Sequence, residues 1–144
     1  MRQLGYWIPE RYRHPVMSRS PAEFWRRWNT YVGGWAHAYV FVPLVSALRL
    51  SSKRGRNSAR TNYAIAVVLT FTVVGVLHDA FIFAASRVWS GSVTPWFVGM
   101  ALLVVVWETV GAKIPRVARR GWGGALVSRG LFFIAACYAA AKFP

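Results

Sequence analysis

From Thr61 to Ser86 the chain carries one formally charged residue, Asp79, and from Val88 to Ala112 it again carries one, Glu108. A helix needs about 20 apolar residues to cross a bilayer core of about 30 Å. Thr61–Ser86 is therefore a first candidate span. Pro95–Ala112 is a second, with Pro95 in the first turn, where a missing N–H costs little. Trp122–Ala141 is a third, apolar from Gly130 onward; Arg129 can snorkel to the near interface. The expected spans lie near 61–86, 95–112 and 122–141.

Charge and composition agree with membrane insertion. The formal net charge is +14, yet 56% of residues are hydrophobic and mean hydropathy is +0.33. A disordered basic tail lacks that apolar content. A nucleic-acid-binding domain can carry the charge, but it does not usually combine it with this hydrophobicity. Basic loops between apolar helices account for both features, and no nucleic-acid partner is expected. Arg49, Lys53, Arg54, Arg56 and Arg60 form one basic loop, and Lys113, Arg116, Arg119 and Arg120 another. The positive-inside rule places both in the cytoplasm and Arg87 outside. Residues 1–27 hold many charges and no apolar run, so no cleavable signal peptide is expected there. Cys137 is the single cysteine, which excludes an intramolecular disulfide and a cysteine zinc cluster. No metal site is expected, and the chain has no phosphate-binding glycine loop, HExxH or GxSxG.

Trp28–Leu48 lacks formal charge but contains Gly33-Gly34, Pro43, Asn29 and His37. The glycines and proline predict interruptions, and the basic segments on both sides predict that it starts and ends on one face of the membrane. Both arguments favour an interfacial or re-entrant segment. Upstream, Ser20-Pro21-Ala22-Glu23 reads as N-cap, proline at the first helical position and a capping-box glutamate. The helix is expected to run from Phe24 through Asn29 toward Gly33. The predicted fold is all-α: a polytopic helical membrane protein with about three transmembrane helices and the interfacial or re-entrant segment. A basic N-terminal segment, residues 1–19, precedes the membrane domain, 20–144.

His78 carries the most information. An ionisable residue inside a span is costly and defaults to a functional reading. Desolvation favours the neutral imidazole, which can act as a general base. A packing role, hydrogen-bonded between helices, is equally open. Gly75, one turn earlier, lets a backbone or a substrate approach the same face. Asp79 points about 100° away from His78 around a helix, so it reads as structural, paired with an arginine of another helix or facing water. Glu108 reads as an interfacial carboxylate near Lys113 or Arg116. Asn29, taken alone, is a capping or solvated amide. His37 and the aromatics Trp25, Trp28, Tyr31, Trp35, Tyr39 and Phe41 read as an interfacial belt.

In sequence order, Ser20-Pro21-Ala22-Glu23-Phe24-Trp25-Arg26-Arg27-Trp28-Asn29, then Trp35, then Tyr39-Val40-Phe41-Val42-Pro43-Leu44, resembles the core of the membrane-bound O-acyltransferase (MBOAT) family. That family shows Phe-Trp-x-x-Trp followed by His or Asn, an aromatic stretch ending in Pro-Leu, and a membrane-embedded histidine some tens of residues later. His78 in Gly75-Val76-Leu77-His78-Asp79 is similar to that histidine. Asn29 resembles the sterol and diacylglycerol acyltransferase branch, and the Arg-Arg and Tyr-x-x-x-Pro-Leu spelling resembles the bacterial alginate-acetylation branch. Where that branch has Arg-Asp before the tyrosine, this chain has His37-Ala38, and where it has Trp-His-Gly, this chain has Leu77-His78-Asp79. Family members usually have eight or more membrane helices, so the likeness is to the C-terminal half, a partial membrane domain over 20–144.

The resemblance implies a role for each matched residue. His78 would deprotonate an acceptor hydroxyl. Asn29 would position donor or acceptor, or steady charge on the thioester oxygen. Trp25, Trp28 and Gly75 would contact substrate. The co-substrate would be an acyl thioester, carried by coenzyme A or acyl carrier protein, with no tightly bound cofactor. Membrane lipid, the hydroxyl acceptor and a separate chain supplying upstream helices are the expected partners, in a bacterial inner membrane. The alternative is a non-catalytic small membrane subunit, or a truncated relative, that packs with partner helices.

Overall fold

The computed structural model describes residues 10–52 and 58–111, together with the helical residues 126, 129, 130, 133, 134 and 137. These last six fall within the expected span Trp122–Ala141, most of which lies outside the described residues, as do Lys113 and Arg116. Among the described residues all regular structure is helical. A 3-10 turn, Pro15–Met17, precedes α1 (Pro21–Arg27) and α2 (Thr30–Ala36). A π-helical turn, His37–Phe41, joins α2 to α3 (Val42–Ser52). α4 (Ala59–Ser86) and α5 (Val93–Gly111) follow. Among the described residues, three helical runs are long and apolar enough to cross a membrane: Thr30–Leu50, Ala59–Ser86 and Val93–Val110. The protein is an integral membrane protein of helical construction.

The chain divides into two compact units, residues 1–34 with 110–144, and residues 35–109. In the first, Ser20 caps α1 by accepting the Glu23 N–H at 3.1 Å. The Glu23 carboxylate reaches back to the Arg19 N–H at 2.8 Å, one residue beyond the expected capping-box partner, and takes Arg27 Nη2 at 2.6 Å. Burial opposes ionisation of Glu23, but the Arg19 N–H, the Arg27 guanidinium and the charge of Arg26 outweigh it and hold the carboxyl below its ordinary value. Fully buried Phe24 anchors this unit. The Trp25 ring meets it edge-on at 5.3 Å and the Trp28 ring stacks on it at 5.6 Å.

α1 stops earlier than expected. Trp28 is extended and Asn29 is left-handed, with φ 41°. Asparagine enters this conformation more readily than other residues with a side chain. The corner is tied down by the N-terminal segment: the Thr30 N–H donates to the Arg11 carbonyl at 2.8 Å, and the Arg13 N–H to the Arg27 carbonyl at 3.0 Å.

The expected interruptions at Gly33-Gly34 and Pro43 are absent. The chain is helical without a break from Thr30 to Ser52. A segment that dips into the membrane and returns needs a chain reversal, and this one has none. Pro43 is accommodated by the π turn just before it. There the Val42 N–H donates to the His37 carbonyl, one residue further back than in an α-helix. This wider turn relieves the clash a proline makes with the preceding turn.

In the second unit the Asn62 amide of α4 donates to the Leu48 carbonyl of α3 at 3.3 Å, and Phe41 meets Tyr63 edge-on at 5.9 Å. Ser58 caps α4, accepting the Thr61 N–H at 3.2 Å. α4 and α5 form a hairpin. Their seam is buried at Ala66, Val67, Val74, Gly75 and Asp79 on one side and Val93, Phe97, Ala101 and Val104 on the other. At 28 residues α4 is about 42 Å long, enough to cross a bilayer and extend beyond it.

Candidate functional site

His78 lies in the α4–α5 hairpin, half-buried, eight residues before the end of α4. Its Nδ1 sits 2.7 Å from the Val74 carbonyl oxygen, one helical turn back. A carbonyl only accepts, so Nδ1 carries the hydrogen. In the neutral ring the lone pair is therefore on Nε2. Among the described residues none bonds to Nε2, so that nitrogen can take a proton from a bound hydroxyl. Phe97 of α5 lies over the ring, centroids 5.0 Å apart and planes inclined 40°.

Gly75 was expected to admit either a backbone or a substrate, and the structure supplies the backbone. A Cβ there would stand 2.7 Å from Thr94 Cα and 3.2 Å from Phe97 Cβ. The glycine brings α5 against α4 at the level of His78.

Asp79 is 1% exposed and, among the described residues, pairs with no arginine. Oδ1 accepts the Val93 N–H at 3.2 Å and the Ser90 hydroxyl at 3.4 Å; Oδ2 accepts the Thr94 N–H at 2.9 Å and the Thr94 hydroxyl at 2.6 Å. The carboxylate caps the N-terminus of α5, where unpaired N–H groups and the helix dipole favour an anion. The structural reading of this residue holds, with a helix end in place of an arginine.

Trp25, Trp28 and Asn29 are brought together in the first unit, around Phe24 and the corner after α1. Trp28 also meets Tyr12 edge-on at 5.1 Å. With Tyr12, His14, Pro15 and Val16 it lines an open cleft of about 420 Å³. The Asn29 carbonyl accepts the Gly33 N–H at 2.9 Å, and its half-buried side-chain amide forms no hydrogen bond among the described residues. Asn29 belongs to one compact unit and His78 to the other. His37 is exposed in the π turn and stacks on Phe41 at 5.4 Å. Glu108 borders a second cleft of about 340 Å³, with Arg60, Tyr63 and Thr109.

Two contributors escaped the sequence reading. Phe97 lies far along the chain from His78, with no local pattern linking them. The cleft residues Tyr12 and His14 belong to a segment read only as basic. For Asp79 a faint signal existed, the cluster Ser90, Ser92 and Thr94 before Pro95, which marks a helix start without naming its cap.

The chain is similar to bacterial alginate O-acetylases. The probable alginate O-acetylase AlgI of Pseudomonas syringae pv. tomato is 23% identical over 135 residues, which cover 83% of this chain and 25% of that protein. The corresponding protein of Pseudomonas putida is 24% identical over 136 residues, 83% of this chain and 27% of its own length. That of Azotobacter vinelandii is 27% identical over 77 residues, 54% of this chain and 14% of its own. This chain thus spans about a quarter of the length of the first relatives it matches. No protein-family model and no solved structure matches it. The relatives are MBOAT proteins, which matches the family resemblance of the sequence.

Proposed function

We propose that this relative of the alginate O-acetylases carries a catalytic portion of an O-acyltransferase in a bacterial inner membrane, with His78 as general base. The observation that carries the proposal is the Nδ1 contact to the Val74 carbonyl, which leaves the lone pair on Nε2. Nε2 takes the proton of an acceptor hydroxyl as its oxygen attacks the carbonyl carbon of an acyl thioester. The carbon–sulfur bond then breaks, the sulfur leaves with the proton from Nε2, and the products are an ester and a free thiol. For Asn29 the family resemblance alone supports a role in positioning donor or acceptor. Trp25 and Trp28 present aromatic surface to donor or acceptor.

The test is acceptor-dependent thiol release. Membranes containing the chain are given an acetyl thioester with and without a polyhydroxyl acceptor, and free thiol is titrated. Release that requires the acceptor and yields an alkali-labile ester is expected. A second reading draws on the chain's span of about a quarter of its relatives' length: a non-catalytic subunit that lends helices to a partner. Absence of release from this chain alone, with release restored only by a co-purified membrane partner whose own histidine is required, would establish that reading.

A further inference from the structure

The hairpin seam links a buried carboxylate to the orientation of the imidazole beside it. Asp79 and His78 are neighbours in sequence but face different directions on α4. Asp79 holds Ser90, Val93 and Thr94 through four hydrogen bonds at 2.6–3.4 Å. Gly75 lets the Thr94 backbone close on α4. Phe97, one turn beyond Thr94 and on the same face of α5, then falls over the His78 ring at 5.0 Å. The ring's hydrogen bond to Val74 holds only while the side chain keeps its rotamer, and in that rotamer the imidazole lies against the Phe97 ring.

We propose that Asp79 is a positioning residue for His78: by clamping the start of α5 it seats Phe97 on the imidazole and holds the ring as the Nδ1–H tautomer, with the lone pair on Nε2. The importance of that tautomer for acyl transfer rests on the general-base reading; the clamp itself does not. Each carboxylate oxygen takes two donors. An amide offers one accepting oxygen, so Asp79→Asn retains part of the clamp, whereas Asp79→Leu removes all of it. Thr94→Val keeps the side-chain shape and removes one donor.

The experiment is nitrogen NMR of histidine-labelled full-length chain in lipid nanodiscs, with His78→Gln identifying the resonances among the three histidines. Wild type is expected to show one dominant Nδ1–H tautomer. In Asp79→Leu the ratio of that tautomer to the other falls about tenfold, in line with the loss of charge-assisted hydrogen bonds. Asp79→Asn and Thr94→Val fall between, while circular dichroism shows helix content preserved. An unchanged ring signature in folded Asp79→Leu overturns the proposal. If that variant does not fold, an unchanged signature in Thr94→Val overturns it instead. Acyl transfer is assayed separately: wild-type chain with no transfer counts against the base reading, and the ring signature still decides the clamp.

Discussion

His78 and Asn29 are each defined by one local feature. His78 has one ring nitrogen committed to its own helix, which assigns the other as acceptor. Asn29 sits at positive φ, where glycine is as comfortable as asparagine and alanine is not. Asn29→Gly is therefore expected to keep the corner after α1 and lose the amide, lowering acyl transfer without lowering thermal stability. Asn29→Ala should cost about 1 kcal/mol of stability besides. Equal transfer by wild type and Asn29→Gly would remove the asparagine from the reaction. Glu23 has its own pH signature. Its carboxyl is held below the ordinary value in the folded chain, so its contribution is present above the unfolded value and lost as pH falls through the folded one. A thermal melt of wild type should weaken on acidification across that window relative to Glu23→Gln. Parallel curves would show that the Arg19 and Arg27 contacts add no stability. The capping box was legible because its donors lie within four residues. The left-handed break at Asn29 was not, because its ties to Arg11 and Arg13 come from a distant segment.

At the scale of helices, charge-free stretches predicted the hairpin well. Thr61–Ser86 and Pro95–Ala112 correspond to Ala59–Ser86 and Val93–Gly111, since the cost of placing charge in lipid acts on every residue of a span. Local breakers were a poorer guide: the π turn absorbs Pro43, and packing of α3 on α4 holds the helix through it. The pairing of helix ends was invisible, because Asp79 meets donors 14 and 15 residues away. Gly75 is the close-approach point of the hairpin. Gly75→Val should push α5 off α4 and cost about 1–3 kcal/mol through overpacking. An engineered disulfide between positions 75-adjacent on α4 and Thr94-adjacent on α5 should form poorly in that background. A melting temperature unchanged from wild type would show that the approach at Thr94 is not tight.

For the whole molecule, the placement of basic residues sets sidedness. Thr30–Leu50 is helical throughout and long enough to cross a membrane, yet basic residues flank both of its ends. The positive-inside rule predicts that both ends remain on one face, the helix lying along the interface. With Cys137 replaced, Arg11→Cys and Arg49→Cys should react with an impermeant maleimide from the same side of sealed vesicles. Labelling from opposite sides would make this a true crossing. The central claim is that the His78 lone pair drives acyl transfer. Its most direct measurement is ester formation from a labelled acetyl thioester by wild-type and His78→Ala protein, at matched expression and helix content. Loss of about 100- to 10,000-fold in rate is predicted for a missing general base; a rate equal to wild type would contradict the account.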